Sequence, residues 1–374
     1  MPRAARIAVT VVFFTSGAAY GSFVARIPAL KETVGADAAE LGLVLLAGAV
    51  GAVLALPFAG WLSARIGSRR VTRGSLVAVA LLLPVLGLVP NLVAFAAAYL
   101  AVGAATSVLD LAMNAHGAAV EERYERPIFS SFHAAWSLGG LAGAGLGGGA
   151  AALGVPPFPQ FCLVALGVLA VAAWSRAGLL PRETDARSDG PVLGRPSTAL
   201  IGLGAVAAAA LLVEGAAADW SAVYLDETVG TGEGAATAGF VAFAATMTVG
   251  RLVGDRLTAA WGSVSLTRRA AVLAAAGMGF ALAVGDAAAA IVGFACVGAG
   301  LATIVPTVFR AAGQRTPSPG AGIAAVSTAG YSAFLVGPPG IGFLAEAVGL
   351  RAALLVIVAM MLVVAALASL TRPA

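Results

Sequence analysis

The chain has 374 residues, 60% of them hydrophobic and only 11% charged, with a mean hydropathy of +0.96. A water-soluble domain carries about 25% charged residues, so that class is excluded. The net charge of +4 and pI near 9.5 would suit a nucleic-acid binder. Here the basic residues fall in short loops between apolar runs, which is a pattern of membrane topology rather than of nucleic-acid binding.

The apolar runs are roughly twenty residues long, enough to cross about 30 Å of hydrocarbon at 1.5 Å per residue. Strand-period alternation is absent, which disfavours an outer-membrane barrel. The sequence therefore predicts an all-α membrane protein with twelve transmembrane helices. The first six spans fall at 7–26, 41–62, 74–89, 92–117, 129–153 and 160–179. The second six fall at 199–224, 236–253, 270–284, 287–309, 323–345 and 350–370. The third and ninth are short and have room to extend into their flanks. Arg3 and Arg6 precede the first span as in a signal peptide, but it lacks a small-residue cleavage site and reads as a retained helix.

Glycine accounts for 48 residues, well above the usual share of about 7%. Inside apolar spans it predicts close helix contact, because lipid gives helices no hydrophobic drive to associate. Cys162 and Cys296 lie within apolar segments and read as packing residues without a disulfide.

Lys and Arg residues set the orientation. With the N-terminus inside, nineteen of the 22 fall in cytoplasmic segments, leaving Arg26, Lys31 and Arg351 outside. That asymmetry predicts a multi-pass protein of the inner (plasma) membrane with both termini in the cytoplasm. The longest polar stretch, Arg176 to Ser197, separates six spans from six. It divides the chain into an N-terminal bundle (1–180), a cytoplasmic linker (181–198) and a C-terminal bundle (199–374).

Short repeats support the division. Lys31–Gly35 reads KETVG and Asp226–Gly230 reads DETVG, at an offset of 195. Gly60 corresponds to Gly250 at an offset of 190, and Trp136-Ser137 to Tyr331-Ser332 at 195. Two same-orientation halves suggest alternating access around a site near the bilayer midplane.

The loop after span 2 reads GWLSARIGSRR, Gly60 to Arg70, and the loop after span 8 reads GRLVGDRLTAAWG, Gly250 to Gly262. These resemble the loop signature of the major facilitator superfamily: a glycine, an acid, a basic residue, a glycine and paired basics. Ala64 stands where the first loop would have its acid, whereas the second loop has Asp255. The resemblance covers the whole chain and implies the major facilitator fold, two pseudo-symmetric six-helix bundles. VARIPALK, LDLAMNAHG, SSFHAAWSLGG, EGAAADWSAVYL and the Gly-Pro-Pro-Gly of span 11 resemble a bacterial branch related to fucose-type sugar–proton symporters. That likeness implies a small polar solute and proton coupling.

The loop residues also read by themselves. Gly60, Gly67, Gly250 and Gly254 permit tight turns or close helix ends. Arg65, Arg69 and Arg70 place positive charge near helix C-termini, where the dipole favours it. Asp255, with Arg251 and Arg256, is a candidate gate that closes in one access state; the alternative is that these arginines are topology signals alone.

Ionisable groups at a helix centre cost about 2.5–3.5 kcal/mol on insertion scales, so those present call for a reason. Asp110 in span 4 and Glu214 and Asp219 in span 7 are proton-coupling candidates; the competing reading of each is a structural carboxylate satisfied by a neighbour. His133 in span 5 reads equally as a proton relay with Asp110 or as a satisfied interfacial histidine. His116 reads as structural. Tyr20, Trp136, Trp220 and Tyr331 lie on spans that border the central cavity in the superfamily. With Asn114, they are candidate solute-binding residues, although Tyr20 and Trp220 also suit interfacial anchors. Arg26 is expected to end span 1 and snorkel to the interface. The Gly-rich run Gly139–Gly149 and Gly337–Gly340, which interrupts span 11, read as pliable or closely packed segments.

No Walker loop, metal-ligand spacing or enzyme signature is present. The reading is a non-enzyme without cofactor or metal, working as a monomer in the lipid bilayer with a small-molecule solute and protons, and with no nucleic acid. The function expected is proton-coupled secondary transport of a small organic, possibly sugar-like, solute. Drug or metabolite efflux, and a membrane receptor or scaffold that no longer cycles, stand as alternatives.

Overall fold

The computed structural model describes residues 2–121, 123–124, 128–181, 198–315 and 319–372. These are helical almost throughout, with no strand among the described residues. The chain divides into two compact units, Met1–Asp189 and Gly190–Ala374. The first holds α1 (Pro2–Val24), α2 (Ile27–Val34), α3 (Ala38–Ile66), α4 (Ser68–Leu86), α5 (Leu92–Glu121), α6 (Phe129–Ala152) and α7 (Pro157–Trp174). The second opens with α8 (Thr198–Val223), extended by a π-helical turn over Tyr224–Val229, then α9 (Glu233–Ala236), α10 (Ala238–Trp261) and α11 (Ser263–Val284). It closes with α12 (Ala287–Gln314), α13 (Pro319–Val348), α14 (Leu350–Ala353) and α15 (Leu355–Leu367). Setting aside the short α2 and α9, and joining α14 to α15, each unit has six long helical segments among the described residues. Among the described residues, nine segments are long and apolar enough to cross a membrane. Of the linker expected at 181–198, residues 182–197 lie outside the described residues.

The two units pair their helices alike. In the first, α1 packs on α6, α3 on α5, and α4 on α5 and α7; in the second, α8 packs on α13, α10 on α12, and α11 on α12 and α15. The backbone repeats as well. Gly35, Gly67 and Gly154 have φ of 65°, 87° and 68°, and Gly230, Gly262 and Gly349, each 195 residues later, have 79°, 73° and 83°. Gly67 and Gly262 are single-residue links, α3–α4 and α10–α11, with ψ of 146° and 156°. That combination of angles is open essentially to glycine alone.

These links explain why spans 3 and 9 look short in sequence. The helices begin at Ser68 and Ser263 and carry Arg69, Arg70 and Arg73, or Arg268 and Arg269, in their first two turns, so Arg69 and Arg70 stand at a helix N-terminus and not at the C-terminus expected of them; only Arg65 closes a helix. Arg73 Nε donates to the Ala172 carbonyl at 2.9 Å, and Arg268, 195 residues on, donates to Ala365 at 3.4 Å. In both units this arginine ties the helix after the glycine link to a carbonyl of the unit's last helix.

The Gly-rich run of α6 is a packing surface. A Cβ on Gly139 would lie 1.9 Å from the Phe14 carbonyl oxygen, and one on Gly143 2.0 Å from that of Ala18. From the other side, a Cβ on Gly17 or Gly21 would lie 2.0 Å from the carbonyl oxygen of Trp136 or Gly140. Backbone thus meets backbone along α1 and α6, as small-residue packing in lipid requires. The expected interruption of span 11 is not found: α13 runs through Gly337–Gly340 with Pro338 and Pro339 inside it.

Arg26 also departs from expectation. It is 1% exposed, its side chain turned into the protein and not outward. Its guanidinium donates to the carbonyls of Val155 (2.8 Å) and Gly147 (3.5 Å), fastening the α1–α2 corner to the end of α6 and the loop beyond it. Arg351 donates to Leu282 (2.6 Å) and Ala283 (2.8 Å), capping α11. Arg351 thus meets carbonyls of the last turn of α11, where the dipole favours a cation, whereas the carbonyls that hold Arg26 lie within α6 and in the loop after it.

Candidate solute and coupling residues

In the first unit the candidates gather on α1, α5 and α6. Asp110 and Asn114 stand one turn apart on α5, and Asn114 Nδ2 donates to Asp110 Oδ1 at 3.0 Å and to its carbonyl at 2.8 Å. Asp110 nevertheless remains exposed and Asn114 half-buried. The amide orients the carboxylate without enclosing it. Tyr20 on α1 stacks on Trp136 of α6, with centroids 5.6 Å apart and planes at 27°. The glycine contacts that press α1 onto α6 hold these half-buried rings together. His133, one turn before Trp136, is exposed and sets its ring edge-on to Phe13 at 5.3 Å.

His116 is fully buried. Its Nε2 accepts the Leu180 N–H at 2.9 Å, so in the neutral ring Nδ1 carries the proton and donates to Ser68 Oγ at 2.7 Å. This histidine joins the start of α4 to the segment after α7, which is a structural role.

The second unit brings together two residues that had been read separately. Arg251 Nη2 on α10 lies 3.5 Å from Glu214 Oε1 on α8. Arg251 is ten residues from the end of α10, about 15 Å along the axis. It is an in-span cation rather than a loop charge. Asp219 is half-buried on α8. Five residues separate it from Glu214, which turns it about 140° around the helix, so the two carboxylates occupy different faces. Trp220 is fully buried within the unit and reaches no lipid interface.

Of the gating candidates, Arg65 lies over the Trp61 ring at 5.2 Å and Arg69 donates to the Arg176 carbonyl, while Arg70 and Arg256 are exposed. Gly250 and Gly254 let α10 approach Ala302 and Thr303 of α12, with built Cβ distances of 2.6 and 3.1 Å. Gly60, Asp255 and Tyr331 sit on helices whose course is described, but their surroundings lie outside the described residues. The Glu214–Arg251 pair was not anticipated. Its signal was available, since both residues fall inside apolar runs where a lone charge is costly.

A family model described as Major Facilitator Superfamily matches residues 9–334. An uncharacterised MFS-type transporter of Yersinia pestis is 33% identical over 362 residues, covering 96% of this chain and 94% of that protein. Membrane protein MosC of Rhizobium meliloti is 35% identical over 360 residues, covering 96% and 88%. Among solved structures, the nucleoside transporter NupG superposes with a TM-score of 0.76 at 14% identity, covering 97% of this chain and 98% of that one. A bacterial homologue of the human lysosomal transporter Spinster, inward-facing and unoccupied, gives 0.77 at 14% identity, covering 98% and 95%. At these identities the structural likeness speaks to the fold.

Proposed function

The chain belongs to the major facilitator superfamily and is a membrane transporter, and from that premise we propose that it moves a small organic solute by proton-coupled alternating access. The observation carrying this reading is the Glu214–Arg251 pair. A carboxylate inside a span needs a partner, and here it has two that exclude one another, the guanidinium and a proton. Protonation removes this attraction between the two helices, so proton binding and the position of α10 relative to α8 become linked. Such linkage acts only through different affinities of the inward-open and outward-open states. Asp110, exposed and steadied by Asn114, is proposed as a second proton-handling group.

For the solute, the stacked Tyr20–Trp136 face suits a flat or sugar ring, and Asp110 with Asn114 supplies acceptors and donors for hydroxyl or amide groups. Sugars and nucleosides share this combination. Residues Arg65, Arg69, Arg70, Arg251, Asp255 and Arg256, with the glycines beside them, are proposed to act in gating. The distribution of Lys and Arg favours an inner (plasma) membrane protein with both termini cytoplasmic, and a monomer is proposed.

Reconstitution into proteoliposomes tests the reading. With an imposed pH gradient, a panel of sugars and nucleosides should contain a solute whose uptake is accompanied by proton entry. Solute leaving against entering protons would make the protein an efflux antiporter. A ligand that binds without any flux would overturn the transport mechanism.

A further inference from the structure

Within the second unit, α10, α11 and α12 line an apolar cleft of about 550 Å³. A second, basic cavity of about 680 Å³ adjoins it at the α10–α11 link. Trp261 and Arg269 line both. We propose that the pair forms a site for one anionic phospholipid of the surrounding bilayer, with an acyl chain in the cleft and its phosphate in the basic cavity.

The cleft has the shape and chemistry for a chain. On α10 its wall is Thr246, Val249, Val253 and Leu257, spaced three or four residues apart on one helical face. From Ala245 to Trp261 this wall runs sixteen residues, or about 24 Å. That exceeds one leaflet, about half of a 30 Å hydrocarbon core. Val249 and Leu273 are 60% and 46% exposed, so the cleft is open along its side, where hydrocarbon would lie.

The mouth has the chemistry for a phosphate. Arg268, Arg269, Arg310 and Arg372 line it, and among the described residues no carboxylate does. Arg268 gives one N–H to Ala365, but a guanidinium has five. Trp261 lies under the Arg269 guanidinium at 4.9 Å, an aromatic–cation pair at the boundary of the apolar and basic spaces. That is the level at which tryptophan sits in membrane interfaces. The first turn of α11 adds its N–H groups, because Gly262 provides no side-chain cap. Basic pockets between membrane helices suit anionic headgroups. The continuous apolar cleft is what favours a lipid over a free phosphate.

Native mass spectrometry of the full-length protein in detergent tests this, with phosphatidylglycerol, phosphatidylcholine or inorganic phosphate added at equal concentration. The wild-type protein should retain phosphatidylglycerol in preference to phosphatidylcholine. Arg268→Gln with Arg269→Gln should weaken that retention about thirtyfold, given two membrane-surface cations removed. Val249→Trp, at an exposed position, should block the cleft and reduce lipid retention without the charge change. Equal retention of the two lipids, or retention unaffected by both variants, overturns the site. Inorganic phosphate competing as well as the lipid overturns the acyl-chain half. None of these readouts depends on transport.

Discussion

Arg251 on α10 reaches Glu214 on α8 at 3.5 Å, so the second unit contains an ion pair well inside its spans. The two side chains are 34% and 25% exposed. The pair is therefore not sealed within the unit, and its net contribution to stability is smaller than that of a fully buried ion pair.

Glu214→Gln should abolish solute accumulation driven by a pH gradient while leaving solute exchange in place, because exchange needs no net proton movement. Counterflow and gradient-driven uptake, measured on the same proteoliposomes, check this. Normal accumulation by the variant would sink the coupling role of Glu214. In a double-mutant cycle read by thermal unfolding, Glu214→Gln and Arg251→Gln should show a coupling of about 1 kcal/mol, the scale of a partly exposed pair.

Asp110→Asn keeps a hydrogen-bonding group beside Asn114 but removes the exchangeable proton. Gradient-driven accumulation should fall while solute affinity changes little. Asn114→Ala should instead raise the KM, since it releases the carboxylate from its orienting amide. If both variants raise only the KM, Asp110 is a solute ligand and not a coupling group.

Arg26→Ala removes two charge-assisted hydrogen bonds from a buried corner, at about 1.5–3 kcal/mol each by usual measures. The variant should unfold at a clearly lower temperature in detergent. Arg26→Lys should recover only part of the loss, because an ammonium cannot reproduce the guanidinium fork. A wild-type unfolding temperature for Arg26→Ala would mean that the corner is held by packing alone.

Gly143→Ala forces a Cβ to 2.0 Å from the Ala18 carbonyl oxygen, whereas Gly145→Ala meets nothing within 4 Å. The first should separate α1 from α6, disturb the Tyr20–Trp136 stack and reduce the yield of folded protein. The second should behave as wild type. Size-exclusion profiles of the two variants side by side decide the matter.

The Gly67 and Gly262 links should be equally intolerant of alanine, since both need the same glycine-only backbone region. Each substitution should cost about 1–3 kcal/mol. A large effect in one unit only would show that the repeated geometry is under unequal constraint.

Much of this was legible in sequence because the bilayer imposes one-dimensional rules. Span length follows from hydrocarbon thickness, and helicity from the need to satisfy every backbone group within the segment. The repeat was readable from KETVG and DETVG, whose glycines 35 and 230 both end in the left-handed region. Composition likewise indicated that glycine would serve close packing, as the α1–α6 contact illustrates.

What the chain alone determined is the class, the helical fold and its doubling, since these depend on the length and period of apolar runs. Only the tertiary structure decided the partners. Arg26 is drawn inside because the carbonyls of Gly147 and Val155, more than a hundred residues away, accept from its guanidinium there. Glu214 meets Arg251 because α8 and α10 pack side by side, and Trp261 of α10 meets Arg269 of α11 because Gly262 turns the chain sharply between the two helices. Charge and hydropathy specify how deep a residue sits in the membrane. The rotation of one helix against another, which sets whom it touches, is fixed by packing across long sequence separations.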